Sequence, residues 1–259
     1  MSNTLTVAVI QTHLIWEDPQ ANRELFEAKL NTISDVDLIV LPEMFTSGFT
    51  MNAPAVAETM DGETINWLKS IASEKQAAIT GSLVISENGN YYNRLVFVEP
   101  SGKIWQYDKR HTFTLAGEHK VYTAGTEQVI INYKGWKICP LICYDLRFPV
   151  WARNTEDYDL VMYVANWPKV RVSAWDALLQ ARAIENMSYC IGVNRIGLDG
   201  NNYEYTGHSA VYDVLGHRLD SIPENEEVVE TVTLQKEHLN KYREKLGFLK
   251  DQDRFNLEV

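Results

Sequence analysis

Cysteine and long apolar stretches are both scarce in this 259-residue sequence. The three cysteines, Cys139, Cys143 and Cys190, are too few and odd in number for a disulfide framework, and they fit a reducing compartment. The N-terminus has neither the basic segment nor the apolar core of a secretion signal. No later stretch approaches the roughly 20 apolar residues of a membrane helix. These absences predict a cytoplasmic protein without a membrane partner and with a thiol available for chemistry.

Positive charge is scarce as well. Lys and Arg number 24 against 35 Asp and Glu, so the net charge is -11. Proteins that bind phosphate backbones or anionic lipids carry the opposite sign, so nucleic acid and membrane surfaces are not expected partners. The 45% hydrophobic and 23% charged residues are typical of a folded globular chain. Because no linker-like stretch divides the sequence, residues 1–259 are predicted to form a single domain.

Short apolar runs alternate with stretches of helical spacing. Residues 5–11 and 38–41 are predicted strands on either side of a helix that begins with Asp18 as N-cap and Pro19 at its first position, which gives a βαβ unit. Asn88-Gly89 lies between two further apolar runs and predicts a hairpin turn. Further strands are predicted at residues 103–109, 129–133, 136–143, 160–164, 189–195, 210–214 and 228–234. Many strands and few helices predict an α/β fold in which helices cover two sheets.

Three further details of the pattern concern a strand, a loop and a helix. Pro140 lies inside a predicted strand, which implies a sheet edge or a bulge. Residues 110–127 read as a long loop, and long loops are often functional. A predicted helix around Trp175 carries Arg182 and Asn186 on its apolar side.

Three reactive side chains lie at the ends of predicted strands: Glu43, Lys109 and Cys143. Strand ends present functional groups to a crevice, so a carboxylate, an ammonium and a thiol are brought together in this interpretation. Position alone does not decide the matter, because a free cysteine is commonly a small core residue and a strand-end lysine is commonly solvated. A metal is not expected, since Cys139 and Cys143 lack a second ligand pair and the histidines show no metal-binding spacing.

The segments around these residues are more specific. LPEMF at residues 41–45, YDKRH at 107–111 and CYDLRFP at 143–149 resemble, in order, the three signature segments of the nitrilase superfamily of carbon-nitrogen hydrolases. YVANWP at 163–168 and ARAIEN at 181–186 resemble its ω-amidase branch. The resemblance covers nearly the whole chain and implies a four-layer α-β-β-α sandwich.

The resemblance also implies a role for each residue. Cys143 is the expected nucleophile, Glu43 the general base and Lys109 the cation that stabilises the tetrahedral intermediate, with the backbone N–H of Tyr144 as a second oxyanion donor. A thiol near neutral pH needs a base to take its proton, so the roles also make chemical sense. Glu118 matches the family's second glutamate, with a solvated loop carboxylate as the alternative. No cofactor or metal is expected.

The ω-amidase resemblance implies a short dicarboxylic acid monoamide as the small-molecule substrate, such as 2-oxoglutaramate or 2-oxosuccinamate. Arg147 is the candidate for the substrate carboxylate, because a guanidinium binds a carboxylate through two parallel hydrogen bonds. The alternative is a structural arginine that pairs with Asp145 or a helix end. Trp167 and Phe148 are expected to wall the pocket, although large aromatic residues are more often core.

Several alternatives stay open at this level. The catalytic motifs do not separate an ω-amidase from a nitrilase, an N-carbamoyl hydrolase or another amidase. A non-catalytic binding protein of the same fold has no need to retain all four reactive residues. A homodimer is expected through residues 148–154 and the Trp175 helix, with Arg182 and Glu185 as candidate contacts. Residues 235–259 fit either a solvated tail or an arm that packs on a partner.

Overall fold

The structure, a computed structural model, describes residues 3–258. Strands far outnumber long helices, as the sequence predicts. In chain order the elements are β1 (Thr4–Gln11), α1 (Pro19–Leu30), β2 (Leu38–Val40), α2 (Ala53–Val56), α3 (Glu63–Lys75), β3 (Ala78–Glu87), β4 (Asn90–Val98), β5 (Ile104–Asp108), β6 (Ile131–Tyr133), β7 (Trp136–Ile142), β8 (Leu160–Ala165), α4 (Val172–Asn186), β9 (Tyr189–Asn194), β10 (Ile196–Leu198), β11 (Glu204–Thr206), β12 (Ala210–Tyr212), β13 (Val228–Gln235) and α5 (Lys236–Leu246).

The strands form two large sheets and one small hairpin. The six-stranded sheet has the order β13-β1-β2-β3-β4-β5, and the five-stranded sheet has the order β12-β9-β8-β7-β6. Strands β1, β2 and β3 are parallel, as are β7, β8 and β9. Because β3–β4 and β4–β5 are both antiparallel pairs, β5 runs in the same direction as β2. The carboxyl ends of β2 and β5 therefore lie at the same edge of the six-stranded sheet.

Period-two alternation along the strands builds the layers. In β1, Val7 and Val9 belong to the core that also contains the second sheet, whereas Ala8 and Ile10 pack with α1 and α3. On the other side, α4 packs on β9 so closely that a Cβ at Gly192 would lie 2.3 Å from Leu179 Cδ1. The order is helices, sheet, sheet, helix, which confirms the four-layer α-β-β-α sandwich.

Local signals in the sequence explain several elements. The Asp18 side chain accepts a hydrogen bond from the N–H of Ala21 at 3.0 Å, and Pro19 is the first residue of α1. Asn88 and Gly89 both have positive φ, as the hairpin between β3 and β4 requires. The pairing of β6 with β7 ends at Ile138, so Pro140 has a strand neighbour on the β8 side alone. This locally edge-like position explains why a proline is tolerated.

The structure also differs from the sequence interpretation. The hairpin of β10 and β11 was not predicted, because strands of three residues leave almost no periodicity. The predicted loop at 110–127 contains two short 3-10 helices, Thr114–Ala116 and Glu118–Lys120. Helix α5 packs on its own chain: Leu239 is buried, and Arg243 Nε donates to the carbonyl of Met187 at 2.7 Å. Within residues 3–258, no helix is long and apolar enough to cross a membrane.

Candidate active site

The three strand-end residues meet at one place. Glu43 follows β2, Lys109 follows β5 and Cys143 follows β7. The ammonium nitrogen Nζ of Lys109 donates to Oε1 of Glu43 at 2.8 Å and to both carboxylate oxygens of Glu118 at 3.0 Å. Glu43, Lys109 and Glu118 are at most 1% exposed. The thiol of Cys143 donates to the carbonyl of Asn166 at 4.0 Å, and the charge of the Glu43 carboxylate acts on it. The structure thus brings all four predicted residues together, and Glu118 is buried rather than solvated.

Two asparagines that the sequence reasoning missed hold the carboxylates. Asn93 Nδ2 donates to Glu43 Oε1 at 2.8 Å and to Glu118 Oε1 at 3.3 Å. The backbone N–H of Asn166 donates to Glu43 Oε2 at 2.8 Å, and its side-chain amide donates to the Glu43 carbonyl at 2.6 Å. Asn166 directly follows β8, a strand-end signal that could have identified it. Asn93 lies inside β4 and gives no such signal.

Burial and mutual charge set the protonation of this cluster. Burial raises the pKa of the Cys143 thiol well above its usual value, and the Glu43 carboxylate raises it further, against a smaller opposing effect of Lys109. Burial alone would lower the pKa of Lys109, but the carboxylates of Glu118 and Glu43 outweigh burial and raise it. Burial also raises the pKa of Glu118, and Lys109 opposes this effect. Near neutral pH the resting site therefore contains a neutral thiol beside a charged ammonium.

Cys143 opens a 3-10 helix, Cys143–Arg147, with φ of 43°. This left-handed conformation is strained for a residue with a Cβ, so its surroundings must hold it in place. The fully buried carboxylate of Asp145 does so at the centre of this turn. It accepts hydrogen bonds from Ile142 N at 3.0 Å, Tyr107 Oη at 2.8 Å and His111 N at 3.0 Å. Asp145 thereby ties the turn that carries the thiol to the segment that carries Lys109.

Helix α4 supports the same turn from its other side. Arg182 is 3% exposed, and its Nη2 donates to the carbonyl of Leu146 at 2.6 Å while Nη1 donates to Glu185 at 2.7 Å. Trp175 is fully buried. The expectation that Arg182 contacts a partner subunit is therefore wrong, because its guanidinium is used within the chain, and this use explains why arginine lies on the apolar side of the helix.

Above Cys143 lies a cavity of about 620 Å³, within the usual range of small-molecule sites. Arg147 and Trp167 line it, with the guanidinium carbon of Arg147 4.9 Å from the centre of the Trp167 ring. Phe148 does not line the cavity, because its ring stacks on His111 at 3.7 Å. The pocket role predicted for Phe148 is corrected accordingly.

Arg147 also does not pair with Asp145, whose carboxylate is occupied by the donors described above. Tyr144 lines the cavity, and its backbone N–H lies in the first turn of the 3-10 helix, where N–H groups lack a partner within the helix. Both residues therefore line the cavity, and their substrate and oxyanion roles stay predictions. Within residues 3–258, no three His, Cys, Asp or Glu side chains are grouped to hold a metal ion.

Comparison with known proteins identifies the family. The sequence profile described as carbon-nitrogen hydrolase matches residues 6–244. The chain belongs to the carbon-nitrogen hydrolase family. The crystal structure of XC1258 from Xanthomonas campestris, described as a CN-hydrolase superfamily protein with an arsenic adduct in the active site, is 42% identical and superimposes with a TM-score of 0.97 over 99% of this chain and all of that chain.

Curated carbon-nitrogen hydrolases are similar over most of the chain. The omega-amidase YafV of Yersinia enterocolitica is 45% identical, with 98% of this chain and 99% of that protein aligned. The 2-oxoglutaramate amidase of Bacillus subtilis is 33% identical, with 83% of this chain and 85% of that protein aligned. These matches confirm the nitrilase superfamily, its ω-amidase branch, and the prediction that the chain is a carbon-nitrogen hydrolase enzyme.

The charge arrangement predicts how the carboxylate of Glu43 controls the thiol. In Glu43→Gln the negative charge that disfavours the thiolate is gone while Lys109 remains. The pKa of Cys143 should therefore fall by about one or more, which makes the thiolate more favourable by ~1.4 kcal/mol for each pKa unit. Hydrolysis should nevertheless drop by about two to four orders of magnitude, because the general base is lost. The pH dependence of iodoacetamide labelling of Cys143, followed by mass spectrometry, measures the shift.

Glu118→Gln is the matched control, because the Glu118 charge raises the pKa of this thiol less than the Glu43 charge does. Its labelling profile should shift less than that of Glu43→Gln. A Glu43→Gln profile that stays in place or moves to higher pH would show that another group governs the thiol.

Proposed function

We propose that the protein is an ω-amidase, which hydrolyses the terminal amide of short dicarboxylic acid monoamides such as 2-oxoglutaramate and 2-oxosuccinamate to the dicarboxylate and ammonia. The observation that carries the proposal is the Cys143 thiol beside the buried cluster of Glu43, Lys109 and Glu118. The cavity above the thiol is lined by the Arg147 guanidinium, which has no ion pair within residues 3–258. The similarity to an omega-amidase and to a 2-oxoglutaramate amidase supports the same substrate class.

In the proposed first half-reaction, Glu43 takes the proton of the Cys143 thiol as sulfur attacks the amide carbon. Asn166 contacts both groups, because its carbonyl accepts from the thiol and its N–H donates to Glu43, and this proximity supports the transfer. The tetrahedral oxyanion is stabilised by the ammonium of Lys109 and the backbone N–H of Tyr144, each contributing about 3 kcal/mol. Glu43 then gives its proton to the amide nitrogen, the carbon-nitrogen bond breaks, ammonia leaves and a thioester remains on Cys143.

In the second half-reaction, Glu43 takes a proton from water while the water oxygen attacks the thioester carbon. The carbon-sulfur bond breaks, the dicarboxylate leaves, and Glu43 returns a proton to the sulfur. Glu118 acts on Lys109, because the two hydrogen bonds at 3.0 Å fix the ammonium in position and balance its charge. The cycle uses the side chains of this cluster, the backbone N–H of Tyr144 and water.

Arg147 is the proposed contact for the carboxylate at the far end of the substrate. A protein of net charge -11 repels an anionic substrate at long range, so a local cation is needed. Arg147 has no ion pair with any residue from 3 to 258, and it lies over the Trp167 ring on the cavity wall. Its donors are therefore free for a bidentate contact with a carboxylate.

The proposal is tested by ammonia release from 2-oxoglutaramate, succinamate, glutamine, an N-carbamoyl amino acid and a simple nitrile. The first two should be preferred, and Cys143→Ala, with unchanged circular dichroism, should lose all turnover because no nucleophile remains. Preference for the carbamoyl compound or the nitrile would assign one of the rival hydrolase activities. An active Cys143→Ala protein would contradict the mechanism. If folded wild-type protein acts on none of the five, the ω-amidase proposal fails and a binding role gains support.

We also propose a cytoplasmic homodimer formed through residues 148–154 and α4. Val150 and Ile184 on these segments are 51% and 48% exposed, which leaves apolar surface that a partner subunit would cover. The three cysteines are free, as expected in a reducing compartment.

Sedimentation equilibrium at micromolar concentration should give the mass of two chains. Ile184→Glu should shift the protein towards monomer, because it places a charge in an apolar contact. Leu115→Glu, at an exposed apolar residue beside the cavity, is the control and should leave the mass unchanged. A monomeric wild-type protein would refute the dimer.

A further inference from the structure

The cavity above Cys143 contains charges of both signs, but its two outer carboxylates are occupied. Asp199 accepts hydrogen bonds from Asn201 N at 2.8 Å, Tyr203 N at 3.0 Å and Tyr205 Oη at 2.9 Å. Glu17 accepts hydrogen bonds from the Asn52 side-chain amide at 3.0 Å and from the Thr50 hydroxyl. Both carboxylates hold the cavity wall in shape and have few lone pairs left for a ligand.

The guanidiniums of the cavity are in the opposite situation. Arg147 and Arg171 both line it, and neither side chain makes a hydrogen bond or an ion pair with any residue in the described part of the chain. Each lies over an aromatic ring instead: Arg147 over Trp167 at 4.9 Å and Arg171 over Phe113 at 5.1 Å. A ring face orients a guanidinium and leaves its N–H donors free. The two guanidiniums therefore offer free hydrogen-bond donors to a ligand in the outer cavity.

The position of Arg171 is set by its neighbours. Its carbonyl accepts a hydrogen bond from Trp167 Nε1 at 2.8 Å, so the two arginines are linked through one tryptophan. Phe113, the ring beneath Arg171, packs edge-on against the Tyr144 ring with 4.9 Å between ring centres. Tyr144 directly follows Cys143. Arg171 is thus connected to the nucleophile turn through Phe113, whereas Arg147 belongs to that turn.

We propose that Arg171 is a second specificity residue, which acts with Arg147 to bind the carboxylate and adjacent 2-oxo group of the substrate and to reject substrates that carry an ammonium at the same carbon. This inference rests on the proposed ω-amidase function and deepens it.

The chemistry of the two substrate types explains the selection. A 2-oxo acid presents only hydrogen-bond acceptors at this end, which match two guanidiniums that only donate. Glutamine has the same length and the same terminal amide, but an ammonium replaces the oxo group. That ammonium is repelled by the two guanidiniums and finds no acceptor on them, while the carboxylates of Glu17 and Asp199 are held in the cavity wall by donors of the chain. Discrimination by an unfavourable contact needs no extra steric feature.

The test compares Arg171→Gln with wild type on 2-oxoglutaramate, glutamine and pentanamide, a neutral amide of equal chain length. Loss of one charge-assisted contact should lower kcat/KM for 2-oxoglutaramate about 10- to 100-fold, mainly through KM, and should change pentanamide little. The preference for 2-oxoglutaramate over glutamine should fall about 10-fold. Arg147→Gln is the comparator for a carboxylate contact. Lys169→Gln is the control, because Lys169 is exposed, lies outside the cavity and pairs with Glu204.

Calorimetric titration with 2-oxoglutarate separates this inference from the proposed activity. We expect 2-oxoglutarate to bind the wild type and to bind Arg171→Gln with an affinity lower by about 10-fold or more. This result should hold whichever amide the enzyme turns over fastest. Equal affinity in the two proteins, or an equal loss of kcat/KM on all three amides, would overturn the role of Arg171. Poor turnover of 2-oxoglutaramate by wild type, together with an Arg171-dependent affinity for 2-oxoglutarate, would overturn the ω-amidase function and leave the anion site standing.

Discussion

The ammonium of Lys109 held between Glu43 and Glu118 is the interaction on which the rest of the site depends. An isolated buried charge costs several kcal/mol, and removal of one partner from a buried pair typically costs about 3 to 5 kcal/mol. The two carboxyl groups also accept hydrogen bonds from Asn93, Asn166 and Phe113, which stabilise them away from water. The cluster is thus a fixed polar environment inside an apolar sandwich, arranged before any substrate enters.

The fold supplies this cluster through strand direction. Because β2 and β5 end at the same edge of one sheet, the residues that follow them, Glu43 and Lys109, lie at that edge and contact each other. Cys143 comes from the second sheet, so the thiol reaches Glu43 only because the two sheets pack face to face. Asp145 and Arg182 then hold the strained turn against both neighbours. A protein with an overall negative charge can still present two guanidiniums with free donors, those of Arg147 and Arg171, in the cavity above this turn.

The sequence predicted the reactive centre well because its residues carry two independent signals, a strand end and a specific surrounding segment. Asn93 and Arg171 escaped prediction, since one lies within a strand and the other is oriented by a ring, Phe113, that is distant in sequence. Phe148 was misassigned because an aromatic residue near the nucleophile can face the cavity or stack behind it, and only its contact with His111 decides this. Arg182 was assigned to a partner because a buried arginine on an apolar face has no visible acceptor in the sequence.

The central claim is that Cys143 carries the acyl group of the substrate as a thioester. Acid quenching of the enzyme during turnover of 2-oxoglutaramate, followed by peptide mass spectrometry, tests it directly. The account predicts an adduct with the mass of the acyl group on the Cys143 peptide, none on the peptides of Cys139 and Cys190, and loss of the adduct as substrate is consumed. Rapid turnover without an adduct on Cys143, or with the acyl group on another residue, would contradict it.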